Sequence, residues 1–297
     1  MVATHNAMSV PLPGWFGALQ ERPIPGQLED GVRGLLLDTH YGDLLPNGRV
    51  RTDFGGPAGL QRAIAQDGVG EADVQAALRL RERLGFRGEG ERGIYLCHAF
   101  CELGLTSFAE VLGQLRDFLA THPGEVVVVI NQDAVTPEDV VAAVDDAGLA
   151  PFMATPPAAG ARWPTLGEMV ASGRRLVMLA ENDAGAAPWY QLVYERQVQE
   201  TPFMFGSTAD LTEPGRLPAS CRDNRGVASA SLFLLNHWVN TDPRPLPRNA
   251  ATVNAYGPLL RRARECERIR GRMPNLLAVD FYRRGDAFRV ADTLNGL

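Results

Sequence analysis

Strongly apolar, β-branched runs recur along this chain, and most are followed by a stretch of helical periodicity. LLLDTHY (35–41), IYLCHAF (94–100), EVVVVINQDA (125–134), RLVMLAEN (175–182), SLFLLNHWVN (231–240) and NLLAVDFYRRGD (275–286) all have this character. Runs that are apolar on both faces are strands buried on both faces, which is the signature of a parallel sheet. Parallel neighbours need crossover connections, normally helices. The segment from Thr106 to His122 places Phe108, Val111, Leu112, Leu115, Phe118 and Leu119 on one helical face. Further helices are expected at Pro25–Gly31, Glu71–Leu84, Pro137–Gly148, Leu166–Gly173 and Ala250–Arg270, with a last one ending at Asn295–Gly296. A stub at Met1–Thr4 and the run FMFGST (203–208) bring the strands to eight. Eight strand–helix units predict one α/β domain over 1–297, a TIM-type (β/α)8 barrel, for which about 250 residues are typical. The glycine- and charge-rich stretch from Gly42 to Arg92 is then an elaborated loop. No GxGxxG follows the first strand, so a dinucleotide fold has little support.

Composition narrows the chemistry. All 29 basic residues are arginine. That rules out a Schiff-base lysine and a P-loop lysine, so any cationic partner of a phosphate is arginine, protonated histidine, a metal or a helix N-terminus. The formal net charge of −6 argues against a nucleic-acid partner. No run reaches the ~18 apolar residues of a membrane span. The opening residues MVATHNAMSV lack the pattern of a signal peptide. They run straight into a working motif, so a preceding segment that completes the first strand is expected. Cys97 and Cys101 flank His98, and Cys221 and Cys266 lie late in the chain. This clustering suits disulfides 97–101 and 221–266 and an exported protein; four reduced, buried thiols are the alternative. There is no CxxC pair for zinc.

Of the five histidines, His5, His40, His98 and His237 fall at or near strand C-terminal ends. In a barrel these ends meet at one mouth, where active sites lie. His122 stands at a helix end and reads as a partner of the helix dipole. His5 and His98, on alternate strands with Asp38 on the strand between, form a candidate general base and general acid near neutral pH. His40 either orients Asp38 or faces solvent. Arg33 reads as a structural ion-pair partner.

These segments resemble a known family in order and spacing. THNAMS is similar to the opening motif of the phosphatidylinositol-specific phospholipase C X domain, where a His-Asn or His-Asp pair closes the first strand. QLEDGVRGLLLDTHYG resembles the segment that follows, LCHAFCELG the strand with the second histidine, and HPGEVVVVINQD the next helix-to-strand join. AVDFYRRGD with the closing LNG resembles the C-terminal strand and helix of the secreted bacterial and fungal branch.

The resemblance implies a phosphodiesterase acting on a phosphatidylinositol-like phospholipid. His5 is then the base, or the group that holds the phosphoryl oxygens. His98 is the acid that protonates the leaving alkoxide, and Asn6 touches the phosphate or a metal. Asp38 falls where the calcium-dependent branch has a metal-binding aspartate, so Asn6 and Asp38 are the candidate ligands of Ca2+ or Mg2+. Leu36 replaces a metal-binding glutamate of that branch, and the acid expected at the next strand end is Asn131 or Gln132, with Asp133 beside it. The site is therefore a weak hard-cation site or none. Gln132, Asp133, Glu181, His237, Asp280 and Tyr282 are expected to line the substrate pocket. Trp15 and Phe16 are either a pair dipping into a membrane interface or loop packing. A monomer with peripheral membrane contact is expected. The alternatives are a glycerophosphodiester- or sphingomyelinase D-type phosphodiesterase, whose usual Glu-x-Asp is here Leu36-Leu37-Asp38, and an inactive barrel that binds phospholipid or inositol phosphate.

Overall fold

The computed structural model describes residues 1–297 apart from 14, 57–58, 62–70, 159–160 and 242–244, and it leaves the side chains at 71–73 and 76 undescribed. One sheet runs through the chain: β1 (Val2–Thr4), β2 (Gly34–Leu44), β3 (Val50–Thr52), β4 (Glu91–Leu96), β5 (Thr106–Ser107), β6 (Val127–Asp133), β7 (Leu176–Ala180), β8 (Tyr190–Leu192), β9 (Val198–Glu200), β10 (Leu232–His237) and β11 (Leu276–Val279). Eight strands are parallel, in the order β8-β7-β6-β2-β1-β11-β10-β9. They curl into a TIM-type barrel with helices outside. Among the described residues no ladder joins β8 to β9, so the barrel is open along this seam. A single π-helical turn, Val193–Gln197, links the two seam strands.

Side-chain alternation explains the two cores. Ala3, Leu36, Ile130, Leu179, Leu234 and Ala278 pack together inside the barrel. Their alternates, including Val2, Leu35, Leu37, Val129, Met178, Leu235 and Leu277, face the helical layer. The Phe108–Thr121 helix shows how that layer is built. Ser107 caps it by accepting from the Glu110 N–H, and the six apolar residues expected on one face are the six that are buried.

Eight is the expected number of barrel strands, but two are different segments. IYLCHAF gives β4, which pairs antiparallel with β2 and lies outside the barrel. Residues 203–208 form no strand. Their places are taken by β8 and β9, each three residues long, too short to show a period. The helix expected over Ala250–Arg270 is two, Pro247–Val253 and Tyr256–Arg270.

Two features outside the barrel shape its mouth. β2 is 11 residues long, and its far half overhangs the barrel, pairing with β3 and with β4. At the seam, the loop around Arg225 covers β9: the Glu200 N–H donates to the Arg225 carbonyl (3.0 Å). That close approach requires a glycine next to Arg225. Gly226 has φ 96°, and a Cβ there would stand 2.2 Å from the Val198 carbonyl oxygen. Both cysteine pairs form disulfides, Cys97–Cys101 and Cys221–Cys266.

Gly226→Ala combines a strained φ with contact against backbone that cannot move aside. It should lower the free energy of unfolding by about 2–4 kcal/mol in urea titrations. An unchanged midpoint would mean that the loop is not held against β9.

Candidate active site

Continuing the inward-facing parity one step past each strand's apolar core gives the ring of side chains at the mouth. In β1 the inward residues are Met1, Ala3 and then His5. The register Thr4↔Val279 puts His5 beside Asp280. Leu36 leads to Asp38, which pairs with Gln132 on β6, and Leu179 leads to Glu181. Leu234 leads to Asn236 and Trp238.

Two carboxylate–imidazole pairs face each other in this ring. His5 Nδ1 is 2.8 Å from Asp280 Oδ1, and His98 Nδ1 is 3.2 Å from Asp38 Oδ2. Both carboxylates are nearly buried, with side chains 4% and 7% exposed. A carboxylate only accepts, so each Nδ1 carries the hydrogen and each Nε2 is the nitrogen that exchanges protons. Asn6 joins the pairs. Its φ of 46° turns the chain sharply after β1. A carboxylate only accepts, which assigns the amide nitrogen of Asn6 to the side facing Asp38, at 2.8 and 3.2 Å, and its oxygen to the side 3.2 Å from both His5 Nε2 and His98 Nδ1. The Asn6 oxygen is thus an acceptor waiting for any proton that His5 Nε2 takes up. The His5 ring lies flat on Trp238, with centroids 3.8 Å apart and planes 4° apart.

His98 reaches this centre from outside the barrel. β4 folds back on the β2 overhang with Thr39 opposite Leu96, and the Cys97 N–H donates to the Asp38 carbonyl at 3.2 Å.

On the seam side, Arg225 donates to Glu181 (2.8 Å) and Glu200 (2.6 Å). It also donates to the Tyr194 hydroxyl at 3.0 Å. Its guanidinium lies over the Tyr194 ring (4.0 Å) and near that of Phe203 (5.1 Å). Burial raises the Glu181 pKa, against the pull of Arg225.

Of the expected pocket residues, Gln132, Glu181 and Asp280 stand on the mouth face; Asp280 acts there through His5. Three others face away from it: Asp133 and His237 have the opposite parity, and Tyr282 follows the turn at Phe281 (φ 45°) beyond the end of β11. Asp133 accepts backbone N–H bonds from residues 181, 182 and 183, and burial still pushes its pKa up to about 6. His237 is fully buried, with Nε2 against the Val253 carbonyl and Nδ1 against Arg262. Tyr282 is buried in the helical layer and donates to Asp30 at 2.5 Å. Other expectations resolve similarly. His40 does not face solvent; it is 4% exposed beside Asp38. His122 ends its helix against the Phe118 carbonyl, and Arg33 is paired with Glu125. Trp15 packs inward and donates to Ser9, whereas Phe16 is 60% exposed.

Sequence reading missed Arg225, Glu200, Tyr194 and Trp238. Trp238 was legible, since it shares the parity of Leu234. The other three lie in or beside strands too short to show a period.

The donor set does not fit a tight Ca2+ site, which takes six to eight oxygens, several of them from carboxylates. Asp38 and Asn6 supply one carboxylate and one amide. Leu36 is apolar. Asn131 donates to Tyr190 and accepts from Thr39, and Asp133 is occupied by backbone. Among the described residues no group of three or more His, Cys, Asp or Glu side chains is placed to hold a metal.

Comparison with known proteins gives one family. The PI-PLC X model (PI-PLC X 1) matches residues 80–295, about three quarters of the chain. An uncharacterized secreted protein of Arthroderma benhamiae is 27% identical over all of this chain and 60% of its own length. A PI-PLC X domain-containing protein of Arabidopsis thaliana is 28% identical over 99% of this chain and 61% of its own. The chain thus spans about three fifths of these two relatives. PI-PLC X domain-containing protein 1 of A. benhamiae is 27% identical over 95% of this chain and 97% of its own. Among solved structures, the phosphatidylinositol-specific phospholipase C of Listeria monocytogenes superposes with a TM-score of 0.55 at 15% identity, covering 100% of this chain and 92% of that one. A variant of the Staphylococcus aureus enzyme gives 0.54 at 11% identity, over 99% and 91%. At these identities the likeness is one of fold.

Burial pushes the pKa of His40 down to about 4 and that of His237 to about 3. In the unfolded chain both titrate near 6.5. Below that pH the unfolded state binds protons that the native state refuses, so the rings' contribution is complete above pH 6.5 and falls as pH drops toward 4 and then 3. Asp133 works in the opposite sense. Between pH 7.5 and 4.5, wild type should therefore lose more unfolding free energy than His237→Asn, in which Asp133 and His40 remain. Equal losses in the two proteins would contradict a neutral, buried His237.

Proposed function

The chain belongs to the PI-PLC X family, and from that premise we propose that it cleaves the phosphodiester of a phosphatidylinositol-like phospholipid by histidine acid–base catalysis. The observation that carries this reading is the pair of imidazoles meeting at Asn6, each backed at Nδ1 by a buried carboxylate. A phosphodiester is anionic and repels nucleophiles. Its cleavage needs a base for the attacking hydroxyl, an acid for the leaving oxygen and donors for the phosphoryl oxygens.

His5 Nε2 takes the proton of the attacking hydroxyl, and Asp280 holds the ring and stabilises the cation that forms. His98 Nε2 gives a proton to the departing alkoxide, with Asp38 holding its Nδ1. The attacker is a hydroxyl of the head group itself where one neighbours the phosphate, which yields a cyclic phosphate; otherwise it is water. Gln132, Glu181, Tyr194 and Arg225 offer mixed donors and acceptors suited to a polyol head group, and Trp238 supplies an apolar wall. With no tight cation site in the donor set, this reading assigns the reaction to side chains alone. The disulfides and a relative named as secreted support an extracellular location.

Phosphatidylinositol in mixed micelles should be turned over by the wild type, with or without a chelator. His98→Ala and His5→Ala should each lose at least ~100-fold in kcat, the usual contribution of a general acid or base. Full activity in His98→Ala would overturn the mechanism, and loss of activity on chelation would overturn its metal independence. No turnover of any phosphodiester would favour a lipid-binding barrel.

The substrate is a lipid, so the protein docks peripherally on membranes. Leu12 and Phe16 in the loop after β1 and Met204 beyond β9 are 41%, 60% and 65% exposed. Phe16→Ser should weaken partition onto phosphatidylinositol-containing vesicles several-fold while leaving kcat on a soluble substrate analogue unchanged. Equal partition of the two proteins would remove Phe16 from the docking face.

A further inference from the structure

His98 sits in a loop that the barrel itself does not hold. Its strand ends at Leu96. Beyond Cys97 the chain turns through Ala99 with φ 58°, a region that residues other than glycine rarely adopt. The turn is closed by the Phe100 N–H donating to the His98 carbonyl at 2.7 Å. Such a turn has no repeating hydrogen bonds to keep it in shape.

The disulfide Cys97–Cys101 closes it instead. It joins the residue just before His98 to the third residue after it, with Cα atoms 5.0 Å apart, and both cysteines are buried. The loop is anchored on its far side as well. The Cys101 N–H donates to Thr52 Oγ1 (2.8 Å), whose hydroxyl donates to Glu102 (2.7 Å). Glu102 is ion-paired with Arg81 on the Glu71–Arg83 helix.

The two cross-links of this chain differ in what they can do. A disulfide stabilises a fold mainly by restricting the unfolded chain, and more so the longer the loop it closes. Cys221–Cys266 spans 45 positions, whereas Cys97–Cys101 spans four. By that chain entropy the short cross-link restricts the unfolded chain about half as much as the long one. What sets it apart is its place, across the turn that carries His98.

We propose that Cys97–Cys101 is a positioning element for His98, holding its ring against Asp38 and Asn6, and that it serves the site rather than the fold. The effect on turnover rests on the acid–base reading above; the effect on ring geometry does not.

The test compares Cys97→Ala/Cys101→Ala with Cys221→Ala/Cys266→Ala in the full chain. It uses phosphatidylinositol kinetics, thermal midpoints and 15N–1H spectra of the histidine rings. In the first variant kcat should fall about 10- to 100-fold, as misplacement of a catalytic group by about 1 Å does, with KM within about threefold of wild type. Its thermal midpoint should fall less than that of the second variant, and the His98 ring resonances should move while those of His237 stay. The second variant, once folded, should keep kcat within about twofold of wild type, because its cross-link lies outside the site. An unchanged kcat together with unchanged His98 resonances would overturn the proposal. So would failure of Cys97→Ala/Cys101→Ala to fold, or a larger stability loss than in the control. If the wild type turns over no phosphodiester, the acid–base reading fails, and the ring spectra still decide the positioning claim.

Discussion

The Asp38 carboxylate accepts from the Asn6 amide and from the His98 ring at once, and three separate parts of the chain meet through it. Asn6 comes from the end of β1, Asp38 from the middle of β2, and His98 from the excursion that β4 returns to the mouth. A nearly buried anion in this position is costly without donors. Its need for partners and the orientation of both histidines are therefore one requirement. Asp280 repeats the arrangement on the other side: it stands on the strand that pairs with β1 and holds His5 from behind. The centre is thus built from side chains on strand ends, with the one loop-borne member, His98, fixed by a cross-link.

Much of this was legible in the sequence, and the limits have physical causes. His5, Asp38, His98, Gln132, Glu181 and Asp280 lie where strands turn from apolar to polar. Helical period and capping residues located most of the helices. The errors were of parity and of length. Asp133 and His237 sit at strand ends too, but alternation turns them toward the helical layer, where backbone and Arg262 satisfy them. Counting from Leu234 or Ile130 along the strand separates the two sets. β8 and β9 have three residues each, too few for any period, and the seam cluster of Tyr194, Glu200 and Arg225 was hidden with them. The direction of β4 could not be read locally either, because an apolar run carries no sign of whether its neighbour is parallel.

Charge at the seam bears on the choice of head group. Arg225 is engaged by two glutamates and lies over the rings of Tyr194 and Phe203. It therefore acts as a fixed set of donors more than as an open cation. On the proposed reading, with Asp38 and Asp280 also at the mouth, a polyol head group suits these groups better than a highly phosphorylated ring.

The central claim is that His5 and His98 act in concert on a hydroxyl and a leaving oxygen of one substrate. Following phosphatidylinositol cleavage by 31P NMR tests it most directly. A cyclic phosphodiester should appear first, before any inositol monophosphate. A monoester formed from the start, with no cyclic species at any time, would show that water attacks directly and would contradict the account.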